Sequence, residues 1–207
     1  MLHLITDLDT WLFLKLNAGA ANPFCDWLMP IATELRYYLP FIVVGLLALA
    51  VFGGGKGRSV VLLAIVLLAV TDQTATQLIK PWVGRLRPCH VVEGARVLYR
   101  CGKTFAFPSG HATTSMAAAI FLGLIYRRWL WPLVALSVLV SYSRVYLGIH
   151  YPLDIVGGWV MGGGLAWGTV RLYRCCLGRW LSRWRLFCVA PGRSSDLHPN
   201  GRRTSGG

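Results

Sequence analysis

Apolar residues in this chain come in long blocks separated by short polar segments, with little of the strict alternation that marks a half-buried strand. Four stretches, 37–55, 104–126, 129–143 and 155–170, contain no Asp, Glu, Lys or Arg. Crossing a bilayer takes about 20 mostly apolar residues at 1.5 Å per residue. The blocks therefore predict spans over 38–52, 59–80, 109–126, 130–149 and 152–173. The segment 22–35 is apolar too, but Asp26, Pro30 and Glu34 interrupt it. It reads as a re-entrant or interfacial piece, or as a downward extension of the first span. The expected fold is an all-α, polytopic membrane helix bundle with five or six transmembrane helices plus interfacial amphipathic helices.

The ends carry a different pattern. Residues 1–17 contain Asp7 and Asp9 and lack both a basic start and an unbroken apolar core, so no cleavable signal peptide is in view. Leu4, Leu8, Trp11, Leu12 and Lys15 recur at helical spacing, and Thr6 followed by Asp9 resembles a capping box. Residues 1–36 are thus expected to form interfacial or re-entrant helices that serve as an anchor. The catalytic core would occupy 37–174. Beyond it, Leu177, Trp180, Leu181, Trp184 and Cys188 share one helical face while Arg179, Arg183 and Arg185 lie elsewhere. Such a helix, over 175–189, suits an anionic lipid surface. Residues 190–207 are rich in Gly, Ser, Arg and Pro and read as a disordered tail.

Composition narrows the class. Of 207 residues, 55% are hydrophobic and only 14% charged, against about a quarter charged in soluble domains. The net charge of +13 comes from 21 basic and 8 acidic residues. Because the basic residues fall between and after the apolar blocks, they point to membrane topology and lipid headgroups, and nucleic acid is set aside. Lys56 and Arg58, Arg127 and Arg128, and Arg171, Arg174, Arg179, Arg183 and Arg185 would share the cytoplasmic side. The loop 81–108 would then lie outside, although it is itself basic, with Arg85, Arg87, Arg96, Arg100 and Lys103. Cys89 and Cys101 both fall in that loop. They could form a disulfide in an oxidising compartment or remain two free thiols. A metal site with His90 is the weaker reading, since no second ligand pair stands at zinc spacing.

Ionisable residues at the ends of apolar spans carry the candidate chemistry. Asp72, Thr76 and Lys80 lie four apart on one face of the second span, as a polar stripe that could also serve interhelical hydrogen bonding. Arg85 and Arg87 follow, then Pro88. Several cations in one short segment call for an anion, and a guanidinium fork matches phosphate oxygens. Pro108, Ser109, Gly110 and His111 open the third span, where a helix N-terminus offers free N–H groups and a favourable dipole. The fourth span ends in Ser143 and Arg144, with His150 next and Asp154 four residues after it. A carboxylate at that spacing can orient the imidazole and leave its other nitrogen nucleophilic. By the alternation of spans, Lys80, Ser109 and His150 emerge at one membrane face.

Taken in order, Lys80 with Arg87-Pro88 after six intervening residues, Pro108-Ser109-Gly110-His111, and Ser143-Arg144 with His150 and Asp154 resemble the three-part signature of the phosphatidic acid phosphatase type 2 superfamily. The resemblance covers residues 72–158. It implies metal-independent hydrolysis of a phosphate monoester or diphosphate of a membrane lipid, with no cofactor. It makes His150 the nucleophile that becomes phosphohistidine, Asp154 its orienting carboxylate and His111 the acid that protonates the leaving oxygen. Lys80, Arg87, Ser109, Gly110 and Arg144 would hold the phosphoryl oxygens, supported by Asp72, Thr76, Arg85 and Pro108. A bacterial inner-membrane enzyme with its site facing the periplasm and its C-terminus in the cytoplasm is expected. Undecaprenyl diphosphate is the favoured substrate. Phosphatidylglycerophosphate, phosphatidate and lipid A phosphates are the alternatives, and a non-catalytic lipid-binding protein is the reading from another class. Gly157, Gly158, Gly162, Gly163, Gly164 and Gly168 on the fifth span suit close helix packing against the catalytic spans or a homodimer face.

Overall fold

The structure, a computed structural model, describes residues 2–187, with side chains from 3 to 176. Every regular element among the described residues is helical. In order they are α1 (Leu2–Asn17), α2 (Pro23–Thr33), α3 (Leu35–Phe52), α4 (Gly54–Gln73), a π-helical stretch (Thr74–Ile79), α5 (Lys80–Val83) and α6 (Pro88–Val91). Then come α7 (Gly110–Ile125), a 3₁₀ turn (Arg127–Trp129), α8 (Leu130–Tyr146) and α9 (Pro152–Phe187). The chain divides into two compact units, Met1–Leu172 and Tyr173–Gly207, and the site lies in the first. The expected tail, 190–207, and the apolar face of 175–189 fall outside the residues whose side chains are described. No break in α9 sets 175–187 apart as an element of its own.

The outer surface is apolar. No residue of α3 is buried, and Phe41 and Phe52 stand 78% and 87% exposed. Exposed apolar surface on this scale suits hydrocarbon and not water. Among the described residues, two stretches, Leu35–Phe52 and Gly54–Val91, are long and apolar enough to cross a membrane, with mean hydropathies of 2.0 and 1.8. At 16 residues α7 is apolar but shorter.

The interior is built around α7 and α8. Phe13, Ala112, Val145, Tyr151 and Ile155 form one buried cluster, and Met29, Tyr146, Leu147 and Ile149 another. The small residues of α9 let it approach α7 closely: a Cβ at Gly158 would meet Ala112 Cβ and Ser109 O at 3.0 Å, and one at Gly162 would run into the Thr113 carbonyl. These contacts fix α9, and hence Asp154, against the start of α7. Gly148 has φ +83°, and a side chain there would also strike the Arg96 carbonyl. It makes the turn that brings His150 back beneath α8.

Three expectations change. α1 begins at Leu2, so Thr6 lies inside the helix, its hydroxyl donating to His3 O at 2.7 Å, and does not cap it. Moreover α1 is more than an anchor. Its Leu4, Leu8 and Trp11 face outward, whereas Asp9, Phe13 and Asn17, one turn apart, are buried. Asn17 donates to the carbonyls of Arg96 and Tyr146 at 2.8 and 2.7 Å and accepts the Arg96 N–H at 2.7 Å. Residues 22–35 are not a continuation of the first span. Asn22 caps α2, its Oδ1 accepting Cys25 N–H at 2.8 Å, and Glu34, with extended backbone, separates α2 from α3.

Candidate active site

His150 is 1% exposed in the turn between α8 and α9, and Asp154 and Ser109 are fully buried beside it in the site. Its Nδ1 lies 3.5 Å from Asp154 Oδ2, just beyond a hydrogen bond. Its Nε2 lies 3.3 Å from Arg87 Nη1. A guanidinium can only donate, so this contact requires Nε2 to be unprotonated. The proton of the neutral ring then sits on Nδ1, toward Asp154, and Nε2 carries the free lone pair. Burial, Arg87, Arg144 and Lys80 push the imidazole well below its ordinary value, so the ring is neutral at pH 7.

Arg87 is held in place by the loop after α6. Its Nε donates to Thr104 O at 2.7 Å, Nη2 to Thr104 Oγ1 at 2.9 Å and Nη1 also to Ile149 O at 3.4 Å. Lys80, at the start of α5, is buried and donates to Phe105 O at 3.2 Å. Arg144, near the end of α8, is buried and donates from Nη1 to Thr33 Oγ1 at 2.8 Å, with its guanidinium 5.8 Å from the Tyr99 ring. Tyr99 in turn donates to Glu34.

At the start of α7, Ser109 sits in the N-cap position without capping, and its fully buried hydroxyl finds no hydrogen-bond partner. Arg144 Nε is likewise buried and unpartnered. Burying such donors costs about 1–3 kcal/mol each unless something accepts from them. Both belong to the set that the sequence assigned to phosphate. Ser109 N–H donates to Asp154 O at 3.0 Å, tying α7 to α9. Pro108 is buried, Gly110 leaves open space where a Cβ would stand, and His111 follows on the first turn, exposed. His111 lies within electrostatic reach of Arg144, His150, Lys80 and Arg87, so the three separate segments meet.

Other assignments move. Asp72 is exposed and Thr76 half-buried, because the i→i+5 bonding of the π-helical stretch Thr74–Ile79 carries them off the face that Lys80 presents. Asp72 stays within electrostatic reach of Lys80. Arg85 is not a free cation for phosphate. Its Nη1 donates to Asp154 Oδ1 at 2.9 Å and its Nη2 to Asp9 Oδ2 at 2.6 Å, while its guanidinium lies 3.9 Å from the Tyr151 ring. Arg96, another loop cation, is bound to Asp26 at 2.5 Å. Two of the five loop cations are therefore paired with carboxylates from α1 and α2. Cys89 and Cys101 are joined as a disulfide with Cα atoms 6.3 Å apart, and His90 Nε2 lies 3.2 Å from Cys101 Sγ.

Sequence reasoning missed Asp9, Thr33 and Glu34. The signal for Asp9 was its spacing from Phe13 and Asn17, a buried stripe opposite the apolar one.

The PAP2 superfamily model matches residues 59–176. Over 180 residues the chain is 36% identical to a lipid A 4′-phosphatase of Bacteroides thetaiotaomicron, covering 81% of this chain and 77% of that protein. Over 91 residues it is 37% identical to an undecaprenyl-diphosphatase of Sulfolobus acidocaldarius, 44% of each chain. Its fold is similar to the crystal structure of a transmembrane PAP2-type phosphatidylglycerolphosphate phosphatase from Bacillus subtilis, with a TM-score of 0.69 at 22% identity over 83% of this chain and 87% of that one.

Proposed function

This chain belongs to the PAP2 superfamily, and we propose that it is a multi-pass membrane lipid phosphatase acting through a phosphohistidine at His150. The observation that carries the reading is the placement of His150 Nε2 against Arg87 with Asp154 behind Nδ1. In the reaction Arg87 turns its donors to the phosphoryl oxygens, together with Lys80, Arg144, Ser109 and the N–H groups of Gly110 and His111. Nε2 attacks phosphorus, the bond from phosphorus to the lipid oxygen breaks, and His111 gives that oxygen a proton. Asp154 stabilises the ring as it becomes positive. Water then attacks the phosphohistidine, His111 takes its proton back from that water, and inorganic phosphate leaves. Phosphoryl transfer is chiefly positioning and charge stabilisation, which three cations and a helix N-terminus can supply without a metal.

The relative matched over 81% of this chain and 77% of its own length is named a lipid A 4′-phosphatase. The named undecaprenyl-diphosphatase matches over 44% of the chain. A sugar-linked phosphate monoester of the lipid A kind is therefore the favoured substrate, and undecaprenyl diphosphate, favoured by the sequence, is the second reading. The site would face the periplasm, with the basic loops and C-terminus in the cytoplasm. The deciding experiment is phosphate release by purified protein from lipid A, undecaprenyl diphosphate, phosphatidylglycerophosphate and phosphatidate. The highest kcat/KM on lipid A supports the substrate assignment. Highest turnover of undecaprenyl diphosphate overturns it, and no release from any of them overturns the enzyme reading itself.

A further inference from the structure

A charged chain continues behind Asp154 to the N-terminal helix. Asp9, 3% exposed on α1, accepts Arg85 Nη2 at 2.6 Å on Oδ2 and Leu153 N–H at 2.9 Å on Oδ1. Arg85 Nη1 donates to Asp154 Oδ1 at 2.9 Å, and Asp154 Oδ2 accepts Tyr151 N–H at 2.9 Å and faces His150 Nδ1. Three segments far apart in sequence thus form the order Asp9, Arg85, Asp154, His150. Without Asp9, the Arg85 cation would cancel the charge of Asp154. With it, the three groups keep one net negative charge beside the imidazole.

We propose that Asp9 is a positioning residue for the hydrolysis, serving as the counter-ion of Arg85 so that Asp154 confronts His150 as an effective anion. The proposal rests on His150 being the nucleophile. When Nε2 bonds to phosphorus the ring becomes positive with its proton on Nδ1, and the stabilisation available depends on the net charge behind it. Lys80 also acts on Asp154 electrostatically. It does so equally in every variant below, so its effect cancels in comparison. The other contact of Asp9 serves the same end, because Leu153 N–H belongs to the first turn of α9, which carries Asp154.

The test uses full-length protein in detergent and a lipid phosphate that the wild type hydrolyses. Asp9→Asn keeps the shape and the acceptor for Leu153 but removes the charge. It is expected to lower kcat about 10- to 100-fold, while KM changes less than about threefold, since the phosphate-holding groups are untouched. Adding Arg85→Gln to Asp9→Asn removes the uncompensated cation and is expected to recover about tenfold in kcat. A purely structural brace gives the opposite order, with the double variant at least as impaired as the single. Asp9→Glu, which keeps the charge, is expected to stay within about threefold of wild type. Wild-type kcat in Asp9→Asn, no recovery in the double variant, or loss of folding in both Asp9→Asn and Asp9→Glu overturns the proposal. Absence of hydrolysis by the wild type overturns the nucleophile assignment instead.

Discussion

Arg87 Nη1 stands 3.3 Å from His150 Nε2 and so holds the ring in the tautomer whose Nε2 lone pair faces the guanidinium. Burial first, and then Arg87, Arg144 and Lys80, disfavour the protonated ring, and its pKa lies well below 6.5. A base whose pKa is lowered stays deprotonated as pH falls, so nucleophilic competence persists below pH 6.5. Arg87→Met removes one of the causes and is expected to move the acid limb of kcat/KM upward, toward the ordinary histidine value. Comparing the two pH profiles on one substrate cancels ionisation of the substrate itself. An acid limb that is unmoved or shifts downward contradicts the assignment.

Arg144 reaches across the fold to Thr33, whose hydroxyl accepts its Nη1 at 2.8 Å. The threonine fixes one edge of the guanidinium and leaves the buried Nε without a hydrogen-bond partner. Thr33→Val is expected to weaken inhibition by vanadate about 3- to 10-fold, the loss of one hydrogen bond to a charged group, with a smaller effect on kcat. The vanadate inhibition constant of the variant checks this.

The contrast between Arg144 and Thr33 also shows what was readable beforehand. Lys80, Arg87, Ser109, His111, Arg144, His150 and Asp154 stood out because their chemistry is out of place in apolar blocks and their local spacings are helical. Their convergence followed from the alternation of spans. The residues that hold them did not stand out. Asp9 meets Arg85 across 76 positions and Asp26 meets Arg96 across 70, and no local periodicity encodes pairs that distant. The π-helical stretch before Lys80 was hidden for another reason. A change from i→i+4 to i→i+5 bonding leaves the apolar block intact and alters only the facing, which put Asp72 on a predicted stripe it does not keep. The all-helical class was plain from block lengths, while the inward polar face of α1 was masked by its stronger outward apolar one.

The Asp26 and Arg96 pair gives a pH-dependent element of stability. Hydrogen bonds from Arg96 and Tyr146 lower the Asp26 carboxyl from 3.8 to about 2. A carboxylate with a depressed folded-state pKa contributes stability that is complete above its unfolded value and is lost as pH falls through the folded one. Asp26→Asn is therefore expected to lower Tm by a constant amount from pH 8 to about 5, with the difference shrinking below about pH 4. Thermal unfolding at several pH values checks this, and a Tm difference that grows in acid contradicts it.

The Cys89–Cys101 link spans 12 positions of the loop whose far end, Thr104, holds Arg87. Closing a loop of that size restrains the unfolded chain by about 2–4 kcal/mol. Replacing both cysteines by serine is expected to lower Tm and to raise KM for the lipid phosphate more than it lowers kcat, because Arg87 loses its fixed seat. Kinetics of the double serine variant, beside wild type treated with a dithiol, read both effects.

The central claim is a covalent phosphate on His150 Nε2. Purified protein mixed with a phosphate-labelled lipid substrate and quenched in alkali, where phosphohistidine survives, is digested and mapped. The account predicts label on the peptide containing His150, discharged by acid, and neither label nor phosphate release from His150→Ala. Turnover with no label at His150, or full phosphate release by His150→Ala, would contradict it.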